Sequence, residues 1–165
     1  MKNTIRQYLK GVAGEISRRN LEFILRPIAD RQSSVVVASA NLVIKAGGSA
    51  LAKTGSTATV AFVQGVPVSI AAATDMPALV GTVTANSFNF FAFFVDKAGT
   101  KTVAMGIEGT ALALAKFPPI PEGKACIGFL IVTHSSTFTG GTTPLDTATT
   151  IYCSPTGAFD PTILI

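Results

Sequence analysis

Tryptophan is absent from this chain, and 165 residues hold only two tyrosines, one histidine and two cysteines. Without Trp, and with Tyr only at Tyr8 and Tyr152, a glycan-binding surface lacks its usual aromatic platforms. One His, two Cys and scattered acids make no cluster at metal-ligand spacing. Charge is scarce as well, at 13% of residues against a usual share of roughly 25%. With 48% hydrophobic residues, the composition excludes a disordered chain. Long apolar runs are missing too. The longest one broken only by glycine, Ala125 to Val132, falls far short of the ~18 residues that cross a bilayer as a helix.

Catalytic signatures are equally thin. His134, the lone histidine, follows an apolar strand and adjoins Ser135 and Ser136, where a strand-end surface residue is the expectation. No G-x-S-x-G elbow supplies a nucleophile for it, and neither cysteine sits in a recognisable catalytic signature. Glu108, Glu122 and Asp146 each lie in turns beside Gly, Pro or Thr, and no two carboxylates are spaced for acid–base work. Gly47 to Thr54 approaches the phosphate-loop pattern G-x-x-x-x-G-K-[ST], but Ala52 replaces the second glycine. Strand-like residues follow where a phosphate loop must open a helix, so a Gly-rich hairpin loop is expected. The reading is a protein that is not an enzyme and uses no cofactor. Cys126 and Cys153 each fall in a strand; they are either buried free thiols or, if adjacent, a disulfide.

What charge there is sits at one end. Residues 1–32 carry seven Lys or Arg against three acids, and residues 33–165 carry six of each. The whole excess of four therefore belongs to the first fifth of the chain. Composition shifts at Gln32-Ser33-Ser34, which divides an arm (1–32) from a body (33–165). In the arm, Ile5, Leu9, Val12 and Ile16 recur at helical spacing, flanked by Arg6, Lys10, Arg18 and Arg19. Pro27 makes Arg26 a poor helix position. Gly11 and Gly14 each cost about 1 kcal/mol against Ala, so a helix there needs a partner surface to order it. Arg6, Lys10 and Glu15 break every window that a secretory signal would need, and Glu15 and Glu22 argue against a transit peptide. Protein docking is the leading reading, with a solvated face, nucleic acid or a membrane surface as alternatives.

The body reads as β. Strands are expected at 35–44, 57–63, 66–71, 79–84, 88–95, 100–107, 125–133 and 149–153, all rich in β-branched or aromatic residues. Turn residues separate them, most clearly Gln64-Gly65 and Asp96-Lys97-Ala98-Gly99. About eight short strands without a long helical interval predict an all-β, jelly-roll-like β-sandwich with an N-terminal helical arm. In 88–94 large aromatics fall on both faces, which makes that strand either central in the sandwich or sealed by a neighbouring subunit. On the second view Phe88, Phe90, Phe91, Phe93 and Phe94 form the interface of a homotrimer.

Four stretches, Gly65–Leu79, Val95–Thr100, Phe117–Val132 and Phe138–Asp146, resemble a group of small virion proteins from the structural gene clusters of tailed bacteriophages. The likeness lies in texture and turn order over most of residues 65–146. It implies a β-rich capsid decoration (cement) protein, commonly a trimer, which binds the outer face of the head and reinforces contacts between coat subunits. The implied partners are the major capsid protein and further copies of the chain, on a virion assembled in the host cytoplasm. A tail-fibre or receptor-binding β domain is the alternative. The arm has no counterpart in the resemblance. Its residues Ile5, Arg6, Leu9, Lys10, Val12, Ile16, Arg18 and Arg19 are assigned to docking, on a coat subunit or an adjacent copy, by the physical argument above.

Overall fold

The computed structural model describes residues 25, 26, 28–30, 32–159 and 161. Eleven strands follow in order: β1 (Val35–Ala38), β2 (Val43–Ile44), β3 (Ala52–Lys53), β4 (Thr59–Val63), β5 (Val66–Ile70), β6 (Thr82–Val83), β7 (Phe88–Asp96), β8 (Lys101–Met105), β9 (Lys124–Thr133), β10 (Phe138–Thr139) and β11 (Thr149–Cys153). The all-β expectation holds. Every strand pairing is antiparallel.

Two sheets carry the body: a three-stranded one in the order β1-β4-β5 and a four-stranded one in the order β11-β9-β7-β8. Short ribbons β2-β3 and β10-β6 complete the set. A jelly roll wraps its strands back and forth across two sheets. Here β4–β5 and β7–β8 are hairpins that stay within one sheet, because their turns are too short to cross the core. Gln64 (φ 52°) and Gly65 (φ 76°) are both left-handed, the two-residue geometry whose twist matches the flanking strands. In the other turn the Asp96 carboxylate accepts hydrogen bonds from Ala98 N and Thr100 N, each at 2.9 Å. The Thr100 amide, foremost, holds the Asp96 carboxyl below its ordinary pKa.

The four-stranded sheet is apolar on both faces. Phe91, Phe93 and Val95 of β7, with Ile127, Leu130 and Val132 of β9, pack against Val36, Ala61, Val63, Val68 and Ile70 of the three-stranded sheet. On the opposite face Phe90, Ala92, Phe94, Cys126 and Phe129 are covered by Ala115, Phe117, Ile120 and Phe159. Phe117 stands edge-on to Phe129, with ring centroids 5.3 Å apart. Of the two possibilities for the aromatic strand, the fold takes the central one. Phe90 is 4% exposed and Phe91, Phe93 and Phe94 are fully buried by the chain itself, with Phe88 half-buried. Phe90, Phe91, Phe93 and Phe94 therefore offer a second copy no surface, and the expected oligomer contact through these four is corrected; Phe88 alone keeps part of its surface.

A bulge in β9 lets the sheet fill both layers. Phe93 pairs with Gly128 and Phe94 with Cys126, which leaves Ile127 as the extra residue. Cys126 is buried and Cys153 half-buried, and both are free thiols. Burial pushes the Cys126 thiol up to about 12, against the smaller opposing effect of its hydrogen bond to the Gly128 carbonyl. Cys153 is raised as well, also by burial. At pH 8 a thiol reagent is therefore expected to modify Cys153 first and Cys126 only once denaturant is added. Fast modification of both in native buffer would show that the Phe117 layer opens readily.

Helical residues between 25 and 33 lead into β1, and they include Arg26, which the following proline disfavours. This segment is fastened to the body. Arg26 pairs with Glu122 at 2.7 Å, and the Asp30 carboxylate accepts from Gln64 Nε2 at 2.9 Å and Gly123 N at 2.8 Å. Gly65 N donates to the Ser33 carbonyl at 2.9 Å. No helix among the described residues is long and apolar enough to cross a membrane.

Candidate protein-docking site

Where the chain leaves β8 it builds a projecting turn with an apolar tip. Ile107 and Lys116 exchange backbone hydrogen bonds at 3.0 and 2.9 Å, which closes the two legs. Gly109 exchanges two more with Phe88, at 2.8 and 3.0 Å, which ties one leg to the central strand. Between them a single 3-10 turn, Leu112–Leu114, reverses the chain. Ala115 is buried beneath it against the phenylalanine layer, so the turn is anchored at its base.

Its outward residues are the reverse of what a solvated turn carries. Ile107 is 64% exposed, Leu114 62% and Leu112 42%, with Ala111 and Ala113 exposed beside them. Single exposed apolar residues are ordinary on a protein surface, but a run of four at the tip of a hydrogen-bonded turn is a patch. Two glycines make the geometry possible. A Cβ at Gly109 would lie 2.4 Å from Ala115 N, and one at Gly106 would lie 2.1 Å from the Lys116 carbonyl oxygen. Backbone passes backbone at both places, so the legs close only without side chains there. Glu108 points away from the tip, its carboxylate accepting from Thr84 N at 2.9 Å and Thr84 Oγ1 at 2.8 Å. Those bonds, the backbone one first, keep its carboxyl ionised below the ordinary range.

A second apolar surface is the outer face of the three-stranded sheet. Val35 lies opposite Phe62, and Phe62 opposite Pro67. Val37, at a bulge in β1, is 59% exposed and Phe62 37%. Val60 on the same face is half-buried, and only Ser69 is polar. An antiparallel sheet with one solvated face ordinarily alternates apolar inside with polar outside. β1 and β4 keep the first half of that rule and break the second.

The other candidates resolve into structure. In the loop resembling a phosphate site, Gly48 N donates to the Asp146 carboxylate at 2.7 Å, so an acid of the chain already takes the amide a phosphate would use. Lys53 lies in β3, and the buried Thr54 hydroxyl donates to the Ala71 carbonyl at 3.0 Å. The loop runs into a strand and opens no helix. His134 Nδ1 accepts from Ser136 N at 3.0 Å, a local turn contact two residues away. No group of three His, Cys, Asp or Glu that could hold a metal occurs among the described residues. Ile5, Arg6, Leu9, Lys10, Val12, Ile16, Arg18 and Arg19 lie outside the described residues.

Neither apolar surface stood out in the sequence as a site. The turn carried a signal nonetheless: Ala111-Leu112-Ala113-Leu114-Ala115 is an apolar, helix-favouring run set between Gly109-Thr110 and Pro118-Pro119 in an otherwise β chain. No protein-family model, curated protein or solved structure matches the chain.

Proposed function

We propose that the chain is a structural virion protein of the capsid decoration (cement) type, a β-sandwich scaffold with an N-terminal arm that binds coat protein and reinforces the shell. The observation that carries this reading is the anchored apolar turn at Ile107, Leu112 and Leu114. Its backbone is held before any partner arrives, so docking it costs little ordering entropy. Leu and Ile side chains entering a pocket gain roughly 1.5 to 3 kcal/mol each when fully buried. Three such anchors at the centre of a contact, with the exposed polar residues Thr110 and Lys116 beside them, have the composition of a protein interface. The low charge of the chain and its resemblance to phage virion proteins point the same way. The work done is binding energy alone.

Co-sedimentation with coat-protein shells that lack this protein tests the proposal. Wild-type chain is expected to saturate the shells and to raise their resistance to heat or denaturant. Leu112→Asp with Leu114→Asp places two charges where apolar contact is needed and is expected to weaken attachment at least a hundredfold with the fold intact. Equal attachment of wild type and variant would remove the turn from the interface, and no attachment of either would remove the function.

A further inference from the structure

Where the apolar turn leaves the sheet, the ladder on β7 changes step. Along β8 the register is regular and ends with Phe91 opposite Met105. Gly106 N then donates to the Phe90 carbonyl at 2.8 Å, and Gly109 exchanges its two bonds with Phe88. Between those contacts β7 advances from Phe90 to Phe88 while the facing leg advances from Gly106 to Gly109. The leg therefore carries one extra residue, a bulge, and the backbone of Ile107 is free to pair with Lys116.

A hydrogen-bonded pair in an antiparallel ladder exchanges two bonds, so the return bond from Phe90 N belongs to the Gly106 carbonyl. Phe90 N donates instead to Asn89 Oδ1, at 2.7 Å. The side chain supplies the acceptor that the ladder gives up. Its place supports this role, since a Cβ at Gly106 would lie 3.0 Å from Asn89 Oδ1. The core does not account for the residue. Asn89 is fully buried, and its Nδ2 has no hydrogen-bond partner among the described residues. A buried unpaired donor lowers stability, and a β-branched residue would suit the strand better.

We propose that Asn89 is the positioning residue of the docking turn. Its carboxamide oxygen holds Phe90 N and so releases residues 107–116 from the sheet in the geometry that displays Ile107, Leu112 and Leu114. This rests on the docking role proposed above and assigns to it a buried residue that touches no partner. The same step in the ladder turns Ile107 towards Lys116 and leaves Glu108 to Thr84, whose bonds brace the leg from the other side.

Site-resolved amide exchange on the full chain, alongside co-sedimentation with coat-protein shells, tests it. Asn89→Val removes the acceptor and the unpaired donor together. In that variant the amides of Ile107, Gly109 and Lys116 are expected to exchange at least tenfold faster than in wild type, with those of Ala92 and Phe93 unchanged. Attachment to shells is expected to weaken at least tenfold. Asn89→Asp at pH 4, where the carboxyl is neutral and keeps a carbonyl acceptor, is expected to restore the protection of the turn. Should the valine variant not fold, Asn89→Ala carries the same comparison of turn against strand. Unchanged exchange in the turn, an equal rise at every amide, or a turn left unprotected in Asn89→Asp at pH 4 would each overturn the proposal. Exchange is read without shells, so the two failures are told apart. Selective loosening of the turn, with shells that bind neither wild type nor variant, removes the docking function and keeps Asn89 as the residue that fixes the turn.

Discussion

Phe91→Ala is expected to destabilise the chain by about 3 to 5 kcal/mol, read as the shift in a chemical denaturation midpoint at constant slope. Phe91 is fully buried, and its ring lies 6.0 Å from that of Phe138 across the core between the two sheets. Removing it forfeits the transfer energy of the ring and leaves a cavity that strands on both sides hold open. Natural domains are stable by only about 5 to 15 kcal/mol, so the loss takes a large share. The experiment also separates the two roles an aromatic strand can play. A core ring lost by substitution gives a unimolecular loss of stability at every protein concentration. An interface ring would instead give dissociation that dilution enhances. Concentration-dependent destabilisation of Phe91→Ala would return β7 to a subunit boundary.

Asn89→Asp is expected to be worse at pH 7 than at pH 4. Asn89 is fully buried; its Oδ1 accepts from Phe90 N at 2.7 Å, and its Nδ2 has no hydrogen-bond partner. An aspartate there would find one donor for two oxygens in an apolar layer, and burial would raise its pKa above the unfolded value near 3.9. The folded state then binds more protons than the unfolded one as pH climbs through that value. Stability therefore falls with rising pH, from about 4 upward until the folded group ionises. The full loss, on the order of 3 to 5 kcal/mol, is expected once the charge is forced in unpaired. Thermal melts at pH 4 and pH 7 check it. A melting temperature that is flat or rises over this range in the variant, relative to wild type, would show that Asn89 is solvated.

Legibility differed by element for physical reasons. The hairpin at Asp96–Gly99 was plain because an Asp and a Gly at fixed offsets satisfy a turn without help from the rest of the fold. Strands β4, β5, β7, β9 and β11 fell within or beside the expected runs, since β-branched and aromatic residues in short blocks have few other uses. The run 35–44 was read as one strand but is two, because Asn41 turns left-handed (φ 44°) and sends the chain into another ribbon. The two-residue strands β3 and β10 were missed, since so short a strand exists only through its partner. The apolar turn was missed for a different reason: an apolar run looks the same in sequence whether a fold buries it or displays it.

Composition and pattern by themselves determined that the chain is β-rich and that its excess positive charge is gathered in residues 1–32. Those properties follow from residue type and local spacing, which no packing can alter. Only the tertiary structure decided which apolar residues are core and which are surface. Phe91 and Leu114 are both large, apolar and flanked by apolar neighbours; one is fully buried and the other 62% exposed. Burial is settled by what lies across a layer, through partners such as Phe138 that are distant in sequence. The β9 bulge belongs to the same class: one extra residue at Ile127 sets the face of every side chain before it, and no local signal marks it.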